Sequence, residues 1–588
     1  MAHESMSGAV EKIEERAHTR AQALWFLFRA WCFRLNRLAR QLFKKPPRLR
    51  RAASPDFSVM LARSTSALYA EGLSPTERTW QLGKVENLRR ALRGIDGIAI
   101  PADATFSFWR QVGPPWRSRG FVPGRELREG CLIPSVGGGL CQLSNALHDC
   151  ALKSGAEIVE RHRHTRVIPG SLAEINRDAT IFWNYVDLRF RAQFPLQISA
   201  RLDNERLVVS FLGKTATPPT NEIIVPRVDN ASPVENCATC GIDSCLHHAG
   251  PDADSGEETA VLVDEFWPEF DAWLAPNDRA HLLTPMRYSR WRRASYAWRD
   301  RGWRSVRDVP LLSLLRAWRS RRLSAQGAAR QKALLAFDQK LAATLSARAP
   351  WRCSRAIVAQ NLLPHLHSSG WTGGRAITAL LTRWPIRLLQ RHLDEAAQRH
   401  PQSPTLADFR ADAALANAEW KALEQAEALV TCHARLAEIW PEKTTLLPWK
   451  LPPARKTSPQ APLVVFPASG LARKGAVELR DAMRANGLPL RIAGAQQLEK
   501  DENFWRGVNL APTAAHWLDG AAAVVLPAWI EHRPRRLLEA IASGVPVIAT
   551  DACGLHDWPS GARVSIVPCG DAQALVREIE GILAMSAA

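Results

Sequence analysis

No secretory leader is visible in the sequence: residues 1–20 are polar and of mixed charge, so an unexported protein is expected. It also lacks a run able to span a bilayer. Its most apolar N-terminal stretch, residues 24–33, is too short, and Arg29 interrupts it. A disulfide framework is missing as well, since the 11 cysteines are odd in number and mostly isolated, which points to a reducing compartment. Acidic side chains are in deficit: 77 Lys and Arg stand against 58 Asp and Glu, a formal net charge of +19. Such a surface favours anionic partners, whether phospholipid, nucleotide phosphate or nucleic acid. The excess is spread along the chain, so nucleic acid is not expected. These features predict a cytoplasmic protein, peripheral on the inner membrane face.

What is present is ample. At 588 residues and 46% hydrophobic composition, the chain exceeds one core and predicts about two to four domains. Tryptophan is frequent, at 22 residues, and several sit next to Arg, as in Trp109-Arg110 and Trp298-Arg299. That pairing suits membrane-interface or carbohydrate contacts, and equally Arg-on-aromatic packing. Residues 9–45 read as one long helix that turns basic after Arg29 and stops at Pro46-Pro47. Aromatics with a basic face describe a helix drawn to anionic lipid; packing on the next domain is the alternative.

Near the C-terminus the chain runs Val524 to Pro527, then Glu531-His532-Arg533-Pro534, then Leu537 to Ala540, then Gly544-Val545-Pro546-Val547-Ile548. The apolar runs read as buried parallel strands. Pro534 suits the first turn of the helix between them and Gly544 its C-terminal cap. Ligands bind at the carboxyl ends of such strands, where Glu531 falls, with Glu539 on the helix behind. This segment resembles the donor-binding half of retaining glycosyltransferases with two Rossmann domains (GT-B), whose signature is two Glu separated by seven residues. The resemblance implies that Glu539 binds the ribose hydroxyls of a sugar nucleotide and that Glu531 lies near the transferred sugar. It implies a diphosphate clamp in the stretch Phe466 to Gly475, where Lys474-Gly475 matches, Ser469 occupies the family's Arg position, and Arg473 is the substitute. Cations there stabilise the charge on the leaving group without a metal.

In the N-terminal half, Glu86-Asn87-Leu88, Phe106-Ser107-Phe108, Gly137-Gly138-Gly139-Leu140-Cys141-Gln142-Leu143-Ser144, Glu160-Arg161-His162-Arg163-His164, Arg177-Asp178 and Asp187-Leu188-Arg189-Phe190 follow in order. Three glycines allow a tight turn that leaves backbone N–H groups for an oxyanion. Leu140, Leu143, Leu147 and Cys150 recur at helical spacing, so a helix begins near Cys141 and its dipole lowers the thiol pKa. His164 or His162 would serve as base and Asp178 would orient it; Cys141 as a small buried apolar residue is the alternative. The blocks are similar to the VanW family, named for a protein of vancomycin-resistance clusters. That resemblance implies L,D-transpeptidase-like acyl transfer through Cys141. Strands are expected over Ile181–Tyr185, Leu196–Leu202 and Arg206–Leu212, with His162 and His164 alternating on another.

Cys237, Cys240, Cys245 and His247 have the spacing of a tetrahedral structural zinc site, with His248 as an alternative fourth ligand; an iron–sulfur cluster held by the three Cys is the other reading. Residues 279–345 read as helical with little strand signal, and no Gly-rich loop marks the start of that half.

The predicted organisation is a basic aromatic arm (1–55), an α+β VanW-like module (56–215), a linker with the Cys/His cluster (216–256), and an α/β GT-B module with an acceptor half (257–449) and a doubly wound nucleotide-sugar half (450–588). The expected function is transfer of a sugar from a UDP- or GDP-type donor to a cell-envelope glycan or lipid-linked acceptor. Cys-dependent acyl transfer on a cell-wall precursor, and a non-catalytic glycan-binding assembly role, are the alternatives.

Overall fold

The computed structural model describes residues 20–43, 46–51, 56–128, 131–164, 171–215, 235–237, 245, 256–323, 327–457, 462–495, 499 and 501–587. The chain forms two compact units. The first is Met1–Glu258 with Pro350–Ser354 and Gly370–Arg375; the second is the remainder.

The first unit is α+β. Its main sheet is antiparallel, with strands in the order Val59–Ala67, Arg206–Gly213, Leu196–Asp203 and Ala99–Ile100. Residues 196–213 form a hairpin whose paired register runs from Leu196↔Gly213 to Asp203↔Arg206. Two helices pack in the same core: α2 (Pro75–Leu92) and α3 (Cys141–Lys153). α2 is started by a capping box. Ser74 accepts from the Glu77 amide and the Glu77 side chain answers at the Ser74 amide, satisfying two otherwise orphaned donors. Two small sheets complete the unit, one of them the hairpin Pro123–Arg128 with Cys131–Val136. Ahead of them lies α1 (Arg20–Phe43), within the range predicted from the aromatic and basic pattern. Two late segments also belong here: Arg89 donates to the Gly373 carbonyl at 2.7 Å and Tyr69 to that of Gly374 at 2.6 Å.

Three sequence expectations fail locally in this unit. Residues 181–185 form no strand; they make a turn closed by a Phe182↔Val186 bridge, because Asn184 takes a positive φ of 64° that breaks extended pairing. The strand before His162 ends at Glu160, and residues 161–164 have no regular structure. Finally, the late segments 350–354 and 370–375 cut across the predicted boundaries.

The second unit contains two parallel sheets. The first, of seven strands, spans Glu258–Leu262 to Thr444–Leu446; the second, of five, has the order Leu490–Ile492, Val464–Phe466, Ala523–Leu526, Val547–Thr550, Val564–Val567. The stretch expected to be helical carries two strands of the first sheet, Ala280–Thr284 and Ser305–Asp308, before its helices Pro310–Arg321 and Ala328–Arg348. All five residues of Ala280–Thr284 are buried. A run that short and fully enclosed carries no periodicity to separate strand from helix. Among the described residues no helix is long and apolar enough to cross a membrane.

Candidate functional site

In the first unit the glycine turn exists because the backbone of a neighbouring strand and the stem of Lys84 crowd against it. A Cβ on Gly138 would lie 2.3 Å from the Gly124 carbonyl oxygen, and one on Gly139 would lie 2.1 Å from Lys84 Cγ. Gly137 and Gly139 also take positive φ, 82° and 94°. Asn87 of α2 clamps the turn, donating from Nδ2 to the carbonyls of Val122 and Gly138, both at 2.9 Å, and accepting the Val122 amide at 2.9 Å. The turn does not leave all its amides free, as the sequence suggested: Gly137 donates to Val122 at 3.1 Å and Gly138 to Ser135 at 2.9 Å. The Cys141 amide opens α3 with no helical carbonyl four residues before it.

Cys141 is the first residue of α3 and is half-buried. Its thiol lines the same cavity as the His164 ring and lies close enough to raise that ring's pKa. His164 Nδ1 lies 2.6 Å from Asp178 Oδ2. Burial alone would lower the His164 pKa, but the bonds to Asp178 and Cys141 and their charges push it up to about 10. Asp178 shows the reciprocal change: burial raises it, yet the His164 ring, the His164 amide and Arg161 hold it down at about 2. His162, the other candidate base, points outward, with its side chain 53% exposed, and stands 3.8 Å from Glu160.

The segment bearing Asp178 is strapped to α3. Ser144 Oγ donates to the Ala179 carbonyl at 2.6 Å, and Asn145 Oδ1 accepts the Ala179 amide at 2.8 Å. The His148 ring meets the Arg177 carbonyl at 3.0 Å, and Asp149 pairs with Arg177 at 2.9 Å. Arg161 adds a 2.8 Å bond to Asp178 Oδ1. Sequence reading passed over these residues. The signal was a row of polar side chains (Ser144, Asn145, His148, Asp149) inside an otherwise apolar helix. A cavity of about 1330 Å³ opens over the group, lined by Gly137 to Gln142, His164, Lys84 and Arg125, and by Phe26, Ala30 and Arg34 of α1.

In the second unit, Lys474 ends a short turn (Ala472–Lys474) before Gly475, whose φ is 77°. The turn is stitched to the loop after Ala523–Leu526, because the Trp529 and Ile530 amides both donate to the Arg473 carbonyl, at 3.1 and 3.2 Å. Lys474 Nζ then donates to Glu531 Oε2 at 2.9 Å and to the Ile530 carbonyl at 3.1 Å. Burial would raise the Glu531 carboxyl, but the Lys474 charge and hydrogen bond, with the Arg533 amide, hold it down at about 2. Glu539 lies on α4 (Arg535–Ala542). Its carboxylate accepts from Trp517 Nε1 at 3.2 Å and faces His516 Nε2 at 3.4 Å. Arg536, unforeseen, sits over the Trp517 ring at 5.6 Å and donates to the Pro467 carbonyl at 2.7 Å.

The structure therefore groups Lys474 with Glu531, and places Glu539 in a separate cluster with His516 and Trp517. Arg473 is buried with its guanidinium over Phe409, 4.5 Å from the ring centre; burial, against the charges of Asp408, Glu531 and Glu499, pushes it down to about 10. Two further histidines, His433 buried and His532 half-buried, were given no role by the sequence. His433 contacts the carbonyls of Ala552 and Glu531 at 3.0 and 3.2 Å, and burial lowers it to about 4. His532 accepts the Trp384 amide at 3.4 Å, and burial followed by the Lys474 charge lowers it to about 3. Of the predicted metal ligands, Cys240 and His247 lie outside the described residues, as does His248. Cys237 is buried beside Trp80 and Ile133 with Cys131 against it, and Cys245 is half-buried.

Residues 83–212 match the family model of VanW like protein, and residues 471–585 that of Glycosyl transferases group 1. The chain thus joins a VanW domain to a glycosyl transferases group 1 domain. It is similar to the uncharacterized protein YoaR of Bacillus subtilis (strain 168), 32% identical over 127 residues that make up 21% of this chain and 41% of that protein. It is also similar to the vancomycin B-type resistance protein VanW of Enterococcus faecalis (strain ATCC 700802 / V583), 30% identical over 154 residues, 25% of this chain and 56% of that protein. The chain therefore spans about half the length of the curated relatives it matches, 41% and 56%. Among solved structures, sucrose-phosphate synthase from Thermosynechococcus elongatus is similar over 56% of this chain and 90% of that one, with 16% identity and a TM-score of 0.34.

Proposed function

We propose that the second unit transfers a sugar, with retention, from a UDP- or GDP-type donor to a cell-envelope glycan or lipid-linked acceptor. The observation that carries this reading is the 2.9 Å pair of Lys474 and Glu531, set in a glycosyl transferases group 1 domain where a turn meets the carboxyl end of a parallel strand. The donor set fits a nucleotide sugar: a cation for the diphosphate, an aromatic ring with a carboxylate (Trp517 and Glu539) for the nucleoside, and a second carboxylate for the sugar. Lys474 would neutralise the charge that builds on the leaving diphosphate, with Arg473 behind it. Glu531, kept ionised, would hold sugar hydroxyls. A thermal-shift screen of UDP- and GDP-sugars tests the reading, because a ligand that binds the folded state raises its melting temperature. A rise that Glu539→Ala abolishes supports it; no rise with any nucleotide sugar ends it.

The first unit supports a second reading: acyl transfer at Cys141 on a peptide of a cell-wall precursor. Its support is the His164–Asp178 pair at 2.6 Å, with Cys141 and His164 lining one cavity and the thiol raising the His164 pKa. The thiolate would attack the acyl carbonyl, and the oxyanion would lie at the Cys141 amide. Collapse would expel the leaving amine, which takes its proton from the His164 imidazolium. A second amine, or water, would then give a proton back to the ring as it attacks the thioester. Trapping of a thioester on Cys141 by intact mass, absent in Cys141→Ala, tests it.

A further inference from the structure

The floor of the cavity beside the glycine turn is built from a lysine that the acyl-transfer chemistry does not use. Lys84 lies on α2, its stem against Gly139, two residues before Cys141. It lines the cavity with Arg125 of the adjacent hairpin. Among the described residues no carboxylate or carbonyl pairs with its ammonium. Lys84 is half-buried by surface area and lines the cavity, and burial followed by the Arg125 charge pushes it down to about 7. Arg125 is likewise pushed below its ordinary range by burial, with Glu77 opposing. Other cations on the wall, Arg34, Arg117 and Arg128, outnumber the two carboxylates there, Glu126 and Glu174, and Arg128 already pairs Glu126 at 2.7 Å.

A lysine drawn partly out of water without a partner carries an uncompensated desolvation cost. A structural lysine of this kind would normally be tied to a carboxylate of its own chain. One that faces a cavity next to a nucleophile has its counter-charge missing, and a bound anion would restore it and draw the proton back.

We propose that Lys84 and Arg125 form an anion subsite in the Cys141 cavity, so that the acyl donor carries a carboxylate or phosphate group held beside the carbonyl under attack. This rests on Cys141 being the nucleophile. It goes further in selecting the substrate: chain-end peptides with a free carboxylate, or phosphorylated precursors, are taken over internal neutral peptide bonds.

The test uses the full chain and two alkylating reagents of nearly equal size, anionic iodoacetate and neutral iodoacetamide, with modification at each cysteine mapped by mass spectrometry. Cys150, fully buried, is the unreactive reference. The ratio of iodoacetate to iodoacetamide rates at Cys141 is expected to fall about tenfold in Lys84→Met, a loss of one short charged contact, and to be kept in Lys84→Arg. Methionine preserves the stem against Gly139, and Arg125→Met examines the subsite from another element should Lys84→Met melt early. An unchanged ratio in both folded variants overturns the subsite while leaving the nucleophile intact. If Cys141 reacts no faster than Cys150 with iodoacetamide, the nucleophile reading itself fails. A competition arm names the anion: protection of Cys141 by N-acetylalanine points to a carboxylate and protection by inorganic phosphate to a phosphoryl group. Equal protection by neutral N-acetylalaninamide counts against the subsite.

Discussion

One oxygen of Asp178, Oδ2, takes both the backbone N–H of His164, at 2.7 Å, and its ring Nδ1, at 2.6 Å. The same atom thus fixes where the residue sits and which way its ring turns. With Nδ1 occupied, Nε2 is the nitrogen left for Cys141. Asp178→Asn keeps an acceptor but removes the charge that sustains the imidazolium. Alkylation of Cys141 by iodoacetamide at pH 7 should slow by about tenfold or more, since charge-assisted bonds are roughly twice as strong as neutral ones. Site-mapped rates decide it: equal rates would mean that the carboxylate only shapes the loop.

The same pair makes stability depend on pH, with a definite sign. His164 is raised to about 10 in the folded chain, above its unfolded value of about 6.5. Its contribution is therefore complete below about pH 6.5 and lost as pH rises toward 10. Asp178, held at about 2, contributes above its ordinary range and loses that contribution as pH falls toward 2. Melting of wild type against His164→Gln should differ by about 1.5–3 kcal/mol at pH 6, the range for hydrogen bonds to charged groups, and converge by pH 10.5. A gap that does not close would place the effect in packing.

The glycine turn is a packing requirement before it is a chemical one. Gly138→Ala would bring a methyl 2.3 Å from the Gly124 carbonyl oxygen, a backbone atom that cannot rotate away. The strand pair Pro123–Arg128 and Cys131–Val136 would have to shift, at a cost of about 1–3 kcal/mol, and Cys141 would move with it. Chemical denaturation should show the loss of stability, and Cys141 alkylation a parallel loss of rate.

The parts of this protein that could be read in sequence were those fixed by local chemistry. The first strand of the hairpin 196–213 alternates between buried and more exposed positions, and the second is a short apolar run. The start of α3 follows from Gly-Gly-Gly and an apolar 3–4 spacing. The loop from Lys474 to Gly475 and the pair Glu531 and Glu539 carry a family pattern. What could not be read was set by distant residues. Nothing near His164 distinguishes it from His162; Asp178, fourteen positions on, does, together with the α3 side chains that tether it. Ala280–Thr284 looks like any short apolar run until neighbouring strands enclose it. Lys84 reads as an ordinary surface lysine of α2, and becomes unusual only when the turn at Gly139 folds over its stem.

Lys474 and Glu531 form a partly buried ion pair at 2.9 Å. A diphosphate arriving at Lys474 would compete with Glu531 for the ammonium. Lys474→Ala should weaken binding of a nucleoside diphosphate about ten- to a hundredfold, the loss of one charge-assisted contact, read by calorimetric titration. Glu531→Gln should weaken binding of a nucleotide sugar more than of the bare diphosphate, if the proposed role at the sugar holds. Glu539→Ala should weaken both alike. Identical profiles for all three variants would argue for collapse of the loop rather than separate contacts.

α1 turns Phe26, Ala30 and Arg34 toward the Cys141 cavity, while Leu24, Trp25, Phe28, Trp31 and Leu38 are half exposed or more. The helix has no acidic residue, and Arg37 is tied down by Glu160 at 2.8 Å. A face of Trp and Phe beside Arg29 has the composition that seats in the headgroup region of anionic lipid, each nearby cation adding about 1 kcal/mol. The full chain should therefore sediment with vesicles containing phosphatidylglycerol and stay in solution with purely zwitterionic ones. Added salt should weaken the association, as screening shortens the reach of the charge. Trp25→Ala with Trp31→Ala should reduce binding about tenfold, and Arg29→Glu should reduce it on anionic vesicles alone. Binding indifferent to both lipid charge and the two tryptophans would mean that this face does not meet a membrane, and that α1 serves only to wall the cavity.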